Sequence, residues 1–292
     1  MKDIDQFHKF SRVFSSKLLL AGEYTVIDGG SSLALPFTKF QGQLVEDRLR
    51  AASYNWSTYL NYLVQTNLPF RADAISQLNT DALHFDCNIP EGYGCGSSGA
   101  LVAAFADILN LQYEDDQDLK NKLGSMESYF HGRSSGIDPF VIYKDCPIKT
   151  LNKVICPTII QRNFLQNIYL YDTGQPRLTS ALVDHYQKNI KPSKEAEIKM
   201  LSIANDELVN LLTEGGEESQ FIDCWKEISK LQADIFASIT PAPMQDIWLE
   251  GLNEASHFVK MCGAGGGGFY YVYTKSEEVV RKHNLIKVDD YI

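Results

Sequence analysis

The apolar positions of the chain fall into two kinds of run, and each predicts a kind of element. Short unbroken runs come first. Leu18 to Ala21 has the pattern of a buried strand, Asp28-Gly29-Gly30 is a turn signal, and Ser31 to Leu35 resumes apolar character. Phe40 to Asp47 reads as a further strand. Runs with helical spacing follow: Ala51 to Leu68, then Leu101 to Leu109, which is rich in good helix formers. Gln117 to Gly132 is a third helix, with Gly132 as its C-terminal stop. Beyond Cys146-Pro147 the texture changes. Asn167 to Gly174 predicts a strand running into a turn, and Lys194 to Leu212 and Phe221 to Ser238 predict long amphipathic helices. His257 to Thr274 is apolar, then glycine-rich, then strongly β-like. The change of texture places a boundary between residues 1–152 and 153–292.

Composition narrows the class. The chain has 292 residues, 44% hydrophobic and 22% charged, enough for one large domain or two ordinary ones. A formal net charge of −10 argues against nucleic acid or an anionic membrane as main partner, but leaves room for an anionic small molecule held by local N–H groups, lysine and a metal ion. No window approaches ~18 consecutive apolar residues. The N-terminal stretch lacks the apolar core of a signal peptide. Cys87, Cys95, Cys146, Cys156, Cys224 and Cys262 form no CxxC pair, which suits reduced thiols in a cytoplasmic protein.

Five segments carry candidate chemistry. Gly92-Tyr93-Gly94-Cys95-Gly96-Ser97-Ser98-Gly99 places flexible residues directly before a helix. Helix N-termini offer unpaired N–H groups and a positive dipole end, so such a loop can close around phosphate. A serine there can cap the helix or face magnesium. The spacing is neither that of a Walker A loop nor that of a dinucleotide fingerprint. In the second segment, Glu127 to Phe140, Asp138 follows a Gly-Ile turn and can serve as a general base or as a turn cap, while Glu127 can hold a metal. In the third, Gly263, Gly265, Gly266, Gly267 and Gly268 mark a close backbone approach or a flexible hairpin. Lys17, at the edge of a buried strand, either snorkels or serves a site. Arg177 and Thr179 lie in a tight turn before a helix, where Arg177 can bind a carboxylate or simply be solvated.

The order of these segments resembles that of the GHMP kinases, a superfamily of small-molecule kinases. Lys17 to Leu35 is similar to the first signature, Pro90 to Ala100 to the phosphate loop, and Lys260 to Tyr273 to the third glycine motif. Within the superfamily the mevalonate kinase branch fits best. Glu127, His131-Gly132, Ser134-Ser135-Gly136-Ile137 and Asp138 reproduce its spacing, with the acid eleven residues before the aspartate. The resemblance implies an α+β molecule: an N-terminal α/β domain of ribosomal-protein-like type, a C-terminal ferredoxin-like domain, and an active site in the cleft between them. It also implies ATP and Mg2+ as cofactors, and mevalonate or a related alcohol as substrate. The chain would then be a monomer or homodimer with no nucleic-acid or membrane partner. By the same likeness Asp138 would be the catalytic base. Lys17 would orient it and lower the pKa of the substrate hydroxyl. Gly92, Gly94, Gly96, Ser97, Ser98 and Gly99 would hold ATP phosphates. Ser98 and Glu127 would take magnesium, and Glu23, Tyr24, His131, Arg177 and Thr179 would lie at the substrate.

Some positions depart from the branch. Gly22-Glu23-Tyr24 stands where mevalonate kinases usually have Gly-Glu-His, a form familiar from phosphomevalonate kinases. Cys95 replaces the usual leucine and Gly99 the usual alanine. The segment between Lys17 and the glycine loop is short, which leaves the adenine contacts unplaced. Phosphomevalonate kinase is therefore the first alternative. A non-catalytic sensor is the alternative of another class, and Lys17, Glu127 and Asp138 argue against it.

Overall fold

The computed structural model describes residues 8–9, 11–47, 50, 55–71 and 73–292. The N-terminal stretch read against a signal peptide, and the first residues of the expected helix from Ala51, lie largely outside that set. In chain order the elements begin with β1 (His8–Lys9), β2 (Phe14–Ala21), β3 (Ser32–Glu46), α1 (Ser57–Gln65) and β4 (Leu83–Cys87). Next come α2 (Ser97–Ile108), α3 (Asp116–His131), α4 (Ile137–Lys144), β5 (Ile148–Leu151), β6 (Val154–Pro157) and β7 (Ile168–Asp172). The chain continues through α5 (Thr179–His185), α6 (Glu195–Glu214), α7 (Glu218–Ile235) and α8 (Ala242–Glu254), and closes with β8 (Phe258–Met261), β9 (Phe269–Tyr273), α9 (Glu277–Lys282) and β10 (Ile286–Lys287).

Two compact units share the chain. The first takes residues 1–17, 38–90 and 96–145, and the second 18–37, 91–95 and 146–292. In the first unit β3 pairs antiparallel with β4, Gly42 opposite Cys87 and Glu46 opposite Leu83. α2, α3 and α4 pack together there, and α1 packs on α3. Their core is Phe105, Leu119, Leu123, Met126 and Phe140, all fully buried. Tyr59 and Trp56 meet Phe105 edge-on, with centroids 5.1 and 5.2 Å away. Each such side chain contributes roughly 1.5–3 kcal/mol of burial. α3 starts where the Asp115 side chain accepts from the Asp118 N–H, and it ends at Gly132, whose φ is 71°.

In the second unit the four-stranded sheet runs β10-β7-β9-β8, antiparallel throughout. With the helices between β7 and β8 and α9 between β9 and β10, this is the βαββαβ order expected of a ferredoxin-like domain. α6 and α7 pack against each other, and α7 and α8 pack on β8. Trp225 donates from Nε1 to the Phe258 carbonyl and Trp248 to Ser229 Oγ, which lets both indoles sit in the core without an orphaned N–H. α7 opens with a reciprocal capping box between Glu217 and Gln220.

Two expectations change. Ser31 to Leu35 and Phe40 to Asp47 are one strand, β3, and not two. Pro36, which lacks an N–H, falls between the stretch that pairs with β5 (Ser32 to Ala34) and the stretch that pairs with β4 (Gly42 to Glu46), so the strand runs through it. Asp138, expected after a Gly-Ile turn, lies in the first turn of a helix that was not anticipated, α4, whose eight residues are too few for its periodicity to be read. None of the six cysteines is joined in a disulfide. Among the described residues no helix is long and apolar enough to cross a membrane.

Candidate active site

The first unit gathers one cluster on β2, α2, α3 and α4. Lys17 lies on β2 with its side chain 7% exposed, and its Nζ stands 2.8 Å from Asp138 Oδ2, whose side chain is 40% exposed. The cation is thus held from below while the carboxylate keeps an open side. Asp138 sits at the start of α4, where the helix dipole favours an anion.

α2 begins beside this pair. Gly96 is its N-cap, with φ 81°. A Cβ at Gly96 would lie 2.7 Å from Ile142 Cδ1 and 3.1 Å from Lys17 Cγ, so glycine is what lets the helix start against Lys17. Ser97, Ser98 and Gly99 form the first turn, whose N–H groups have no intrahelical acceptor. Gly99 lets α2 approach α4 closely: a Cβ there would stand 3.1 Å from the Pro139 nitrogen and 3.3 Å from the Asp138 carbonyl carbon.

α3 presents Glu127 and His131 on one face, four residues apart. Ser98 Oγ donates to Glu127 Oε1 at 3.0 Å and stands 3.0 Å from His131 Nε2. Ser134 Oγ donates to the other oxygen, Glu127 Oε2, and accepts from the Gly136 N–H at 2.9 Å. Burial, then the charge of Asp138, push the Glu127 carboxyl up to about 7, against the opposing bonds from Ser134 and Ser98 and the charge of Lys17. A carboxylate so short of positive charge, with a hydroxyl oxygen on it, fits a hard divalent cation, which takes one or two carboxylates and fills its shell with phosphate and water. Among the described residues no group of three or more His, Cys, Asp or Glu side chains is gathered as for an all-protein metal cage.

The second unit gathers the remaining expected residues around the third glycine motif. Glu23 and Lys260 form an ion pair with both side chains fully buried. Gln232 accepts the Met261 N–H at 2.8 Å, and Lys260 Nζ donates to the Met261 carbonyl at 3.1 Å. Tyr24, at φ 62°, stacks 4.9 Å from Phe236 and donates its hydroxyl to the Ala264 carbonyl at 2.7 Å. Burial raises its pKa further than the nearby Arg177 charge lowers it, so it stays a phenol. Arg177 donates from Nη1 to the Gly267 carbonyl and from Nη2 to the Cys262 carbonyl, each at 3.0 Å, and its own N–H donates to the Gly92 carbonyl at 2.8 Å. Gly263 and Gly94 lie against its guanidinium. Gly266 donates to the Tyr270 hydroxyl at 3.1 Å, Gly265 packs on Met261, and Thr179 is exposed at the start of α5. Glu23, Tyr24 and Arg177 are therefore committed to protein partners.

Lys260, Gln232 and Ser134 were given no role from the sequence. Lys260 had a readable signal, a lone charge within an apolar β-like run like that of Lys17. Ser134 lay inside the quoted motif without a role of its own, and Gln232 had no signal, since a polar residue on a helix is ordinary.

Residues 61–145 match the model of the GHMP kinases N terminal domain. A mevalonate kinase of Archaeoglobus fulgidus is 26% identical over 136 residues, 43% of this chain, and the match spans about half of that relative, 47% of its length. The Methanococcus jannaschii mevalonate kinase structure superposes with a TM-score of 0.66 at 17% identity, over 95% of this chain and 96% of that one. A Streptococcus pneumoniae phosphomevalonate kinase in complex with phosphomevalonate and AMPPNP gives 0.63 at 17% identity, over 94% of each chain. Residues 61–145 thus carry the N-terminal domain of the GHMP kinases, in a chain with the fold of the mevalonate and phosphomevalonate kinases that it matches.

Proposed function

We propose that the protein is an ATP-dependent kinase that phosphorylates the primary hydroxyl of mevalonate. The observation that carries this is the Lys17–Asp138 pair at 2.8 Å, set beside the N-terminus of α2 and the Ser98–Glu127 contact. Phosphoryl transfer asks a protein mainly for positioning and for neutralising charge. The free N–H groups of Gly96 to Gly99 hold phosphate oxygens, and Gly92 and Gly94 lead the backbone into that turn. Ser98 and Glu127 would hold magnesium, which when bound supplies charge neutralisation at the phosphates. Asp138 accepts the acceptor's hydroxyl proton. The new bond runs from the acceptor oxygen to the γ-phosphorus, the bond from that phosphorus to its bridging oxygen breaks, and ADP leaves. Lys17 fixes the rotamer of Asp138 and keeps its second oxygen turned outward.

Mevalonate is favoured over its phosphorylated product. A phosphorylated acceptor needs additional cations; of the two motif arginines, Arg133 and Arg177, the Arg177 guanidinium is engaged with two backbone carbonyls, which leaves only the exposed Arg133. Tyr24, whose identity suggested the alternative, has its hydroxyl on the Ala264 carbonyl. An ADP-release assay with ATP and magnesium, offering mevalonate, phosphomevalonate, galactose and homoserine in parallel, tests the reading. Turnover with mevalonate alone is expected. Turnover with phosphomevalonate alone would replace the substrate, and ATP consumption that ignores every alcohol would remove the kinase reading.

A further inference from the structure

Four carbonyls between Met261 and Gly267 are drawn toward side-chain donors. Met261 accepts from Lys260, Cys262 and Gly267 from Arg177, and Ala264 from Tyr24. Arg177 also reaches the other glycine segment, since its N–H holds the Gly92 carbonyl and its guanidinium lies against the Cα of Gly94. A side chain at Gly94 or Gly263 would collide with Nη2. One planar cation therefore sits where two glycine-rich backbones come together, with two of its donors spent on backbone oxygens. Its Nε is buried and meets no hydrogen-bond partner among the described residues.

We propose that Arg177 is a positioning residue for the nucleotide: it acts through the glycine backbones on either side of it and does not touch the acceptor. The proposal rests on the nucleotide reading above. The segment it braces, residues 91–95, runs directly into Gly96 and the first turn of α2. Glycine-rich backbone loses more entropy than any other on becoming ordered, so a loop that must present N–H groups in a fixed array gains affinity when it is ordered beforehand. Arginine suits this role because its rigid fork spans two carbonyls, whereas lysine offers a single point of charge.

The experiment compares wild type with Arg177→Lys and Arg177→Met by three readouts. These are amide hydrogen exchange over 91–95 and 262–268, calorimetric Kd for AMPPNP with magnesium, and KM for the acceptor. In Arg177→Met both segments should exchange faster and the AMPPNP Kd should rise about tenfold or more, as expected for losing hydrogen bonds from a charged donor. The acceptor KM should stay near wild type. Arg177→Lys, the milder change, should recover little of the nucleotide affinity, because its charge is kept and its fork is lost. Unchanged exchange with a raised acceptor KM would overturn the proposal in favour of direct acceptor contact. Faster exchange with unchanged AMPPNP affinity would also overturn it, since the brace would then serve no nucleotide. Wild-type protein that fails to bind AMPPNP would count against the kinase reading itself, and exchange would then judge the brace alone.

Discussion

Asp138 and Glu127 are both carboxylates on α-helices of the same unit, and their surroundings give them different work. Asp138 is partly exposed and has a lysine at 2.8 Å, so it is placed to receive a proton from a molecule outside. Glu127 is buried among hydroxyls. Replacing Asp138 with asparagine should lower kcat by about 10²–10⁴-fold, the range for a general base, while AMPPNP affinity stays within twofold of wild type by calorimetry. A variant that turns over normally would end the assignment. Glu127 gives a pH test without substrate. Its carboxyl titrates near 7 in the folded protein against an ordinary 4.5, so the folded state binds the extra proton. Stability from this group is full below about 4.5 and is lost as pH rises through about 7, on the order of 3 kcal/mol for such a shift. Metal-free Glu127→Gln should therefore show a flatter fall of ΔG between pH 5 and 8 in urea titrations. An identical slope in both proteins would refute the assignment of that fall to Glu127.

Elements bring these residues together through close contacts that side chains would block. Gly136 caps α4 at φ 74°, and its α-carbon faces the Lys120 carbonyl and Gly124 of α3. Gly136→Ala should cost about 1–3 kcal/mol in unfolding free energy, from left-handed strain plus a displaced helix contact, and should loosen the turn that carries Ser134 to Glu127. An alanine variant as stable as wild type would mean that α3 and α4 have slack at that crossing. Asp115→Ala, which removes a side-chain cap from α3, should cost about 1 kcal/mol with activity retained, because the cap is about three turns away from Glu127 along the same helix.

At the scale of the whole molecule, buried charge decides how firmly the third glycine motif is seated. Glu23 and Lys260 are fully buried, and each is the other's charge partner. Removing one leaves the other uncompensated. Glu23→Leu or Lys260→Met alone should lower stability by about 3–5 kcal/mol, whereas the two together should recover much of the loss. Thermal unfolding of the four proteins measures this, and simple additivity would mean that the pair is not coupled. The same scale separates what was legible from what was not. Lys17, Ser98, Glu127 and Asp138 stood out because chemistry-bearing residues sat in ordered motifs, and the structure brings all four into one cluster. The commitments of Tyr24 and Arg177 to backbone carbonyls were not legible, because a hydrogen bond across 240 or 90 residues leaves no mark on local spacing. α4 was missed because eight residues with two charged ends carry too little periodicity.

By itself the sequence determined the elements whose apolar periodicity is long, the glycine turns that demand positive φ, and the order of the motifs. Local sterics and side-chain patterning set those, and they act between near neighbours. Only the tertiary structure decided which carboxylate stays open and which is buried, that β3 runs on through Pro36, and that Glu23 answers Lys260. Those outcomes depend on burial and on long-range partners, and neither exists until the chain has folded.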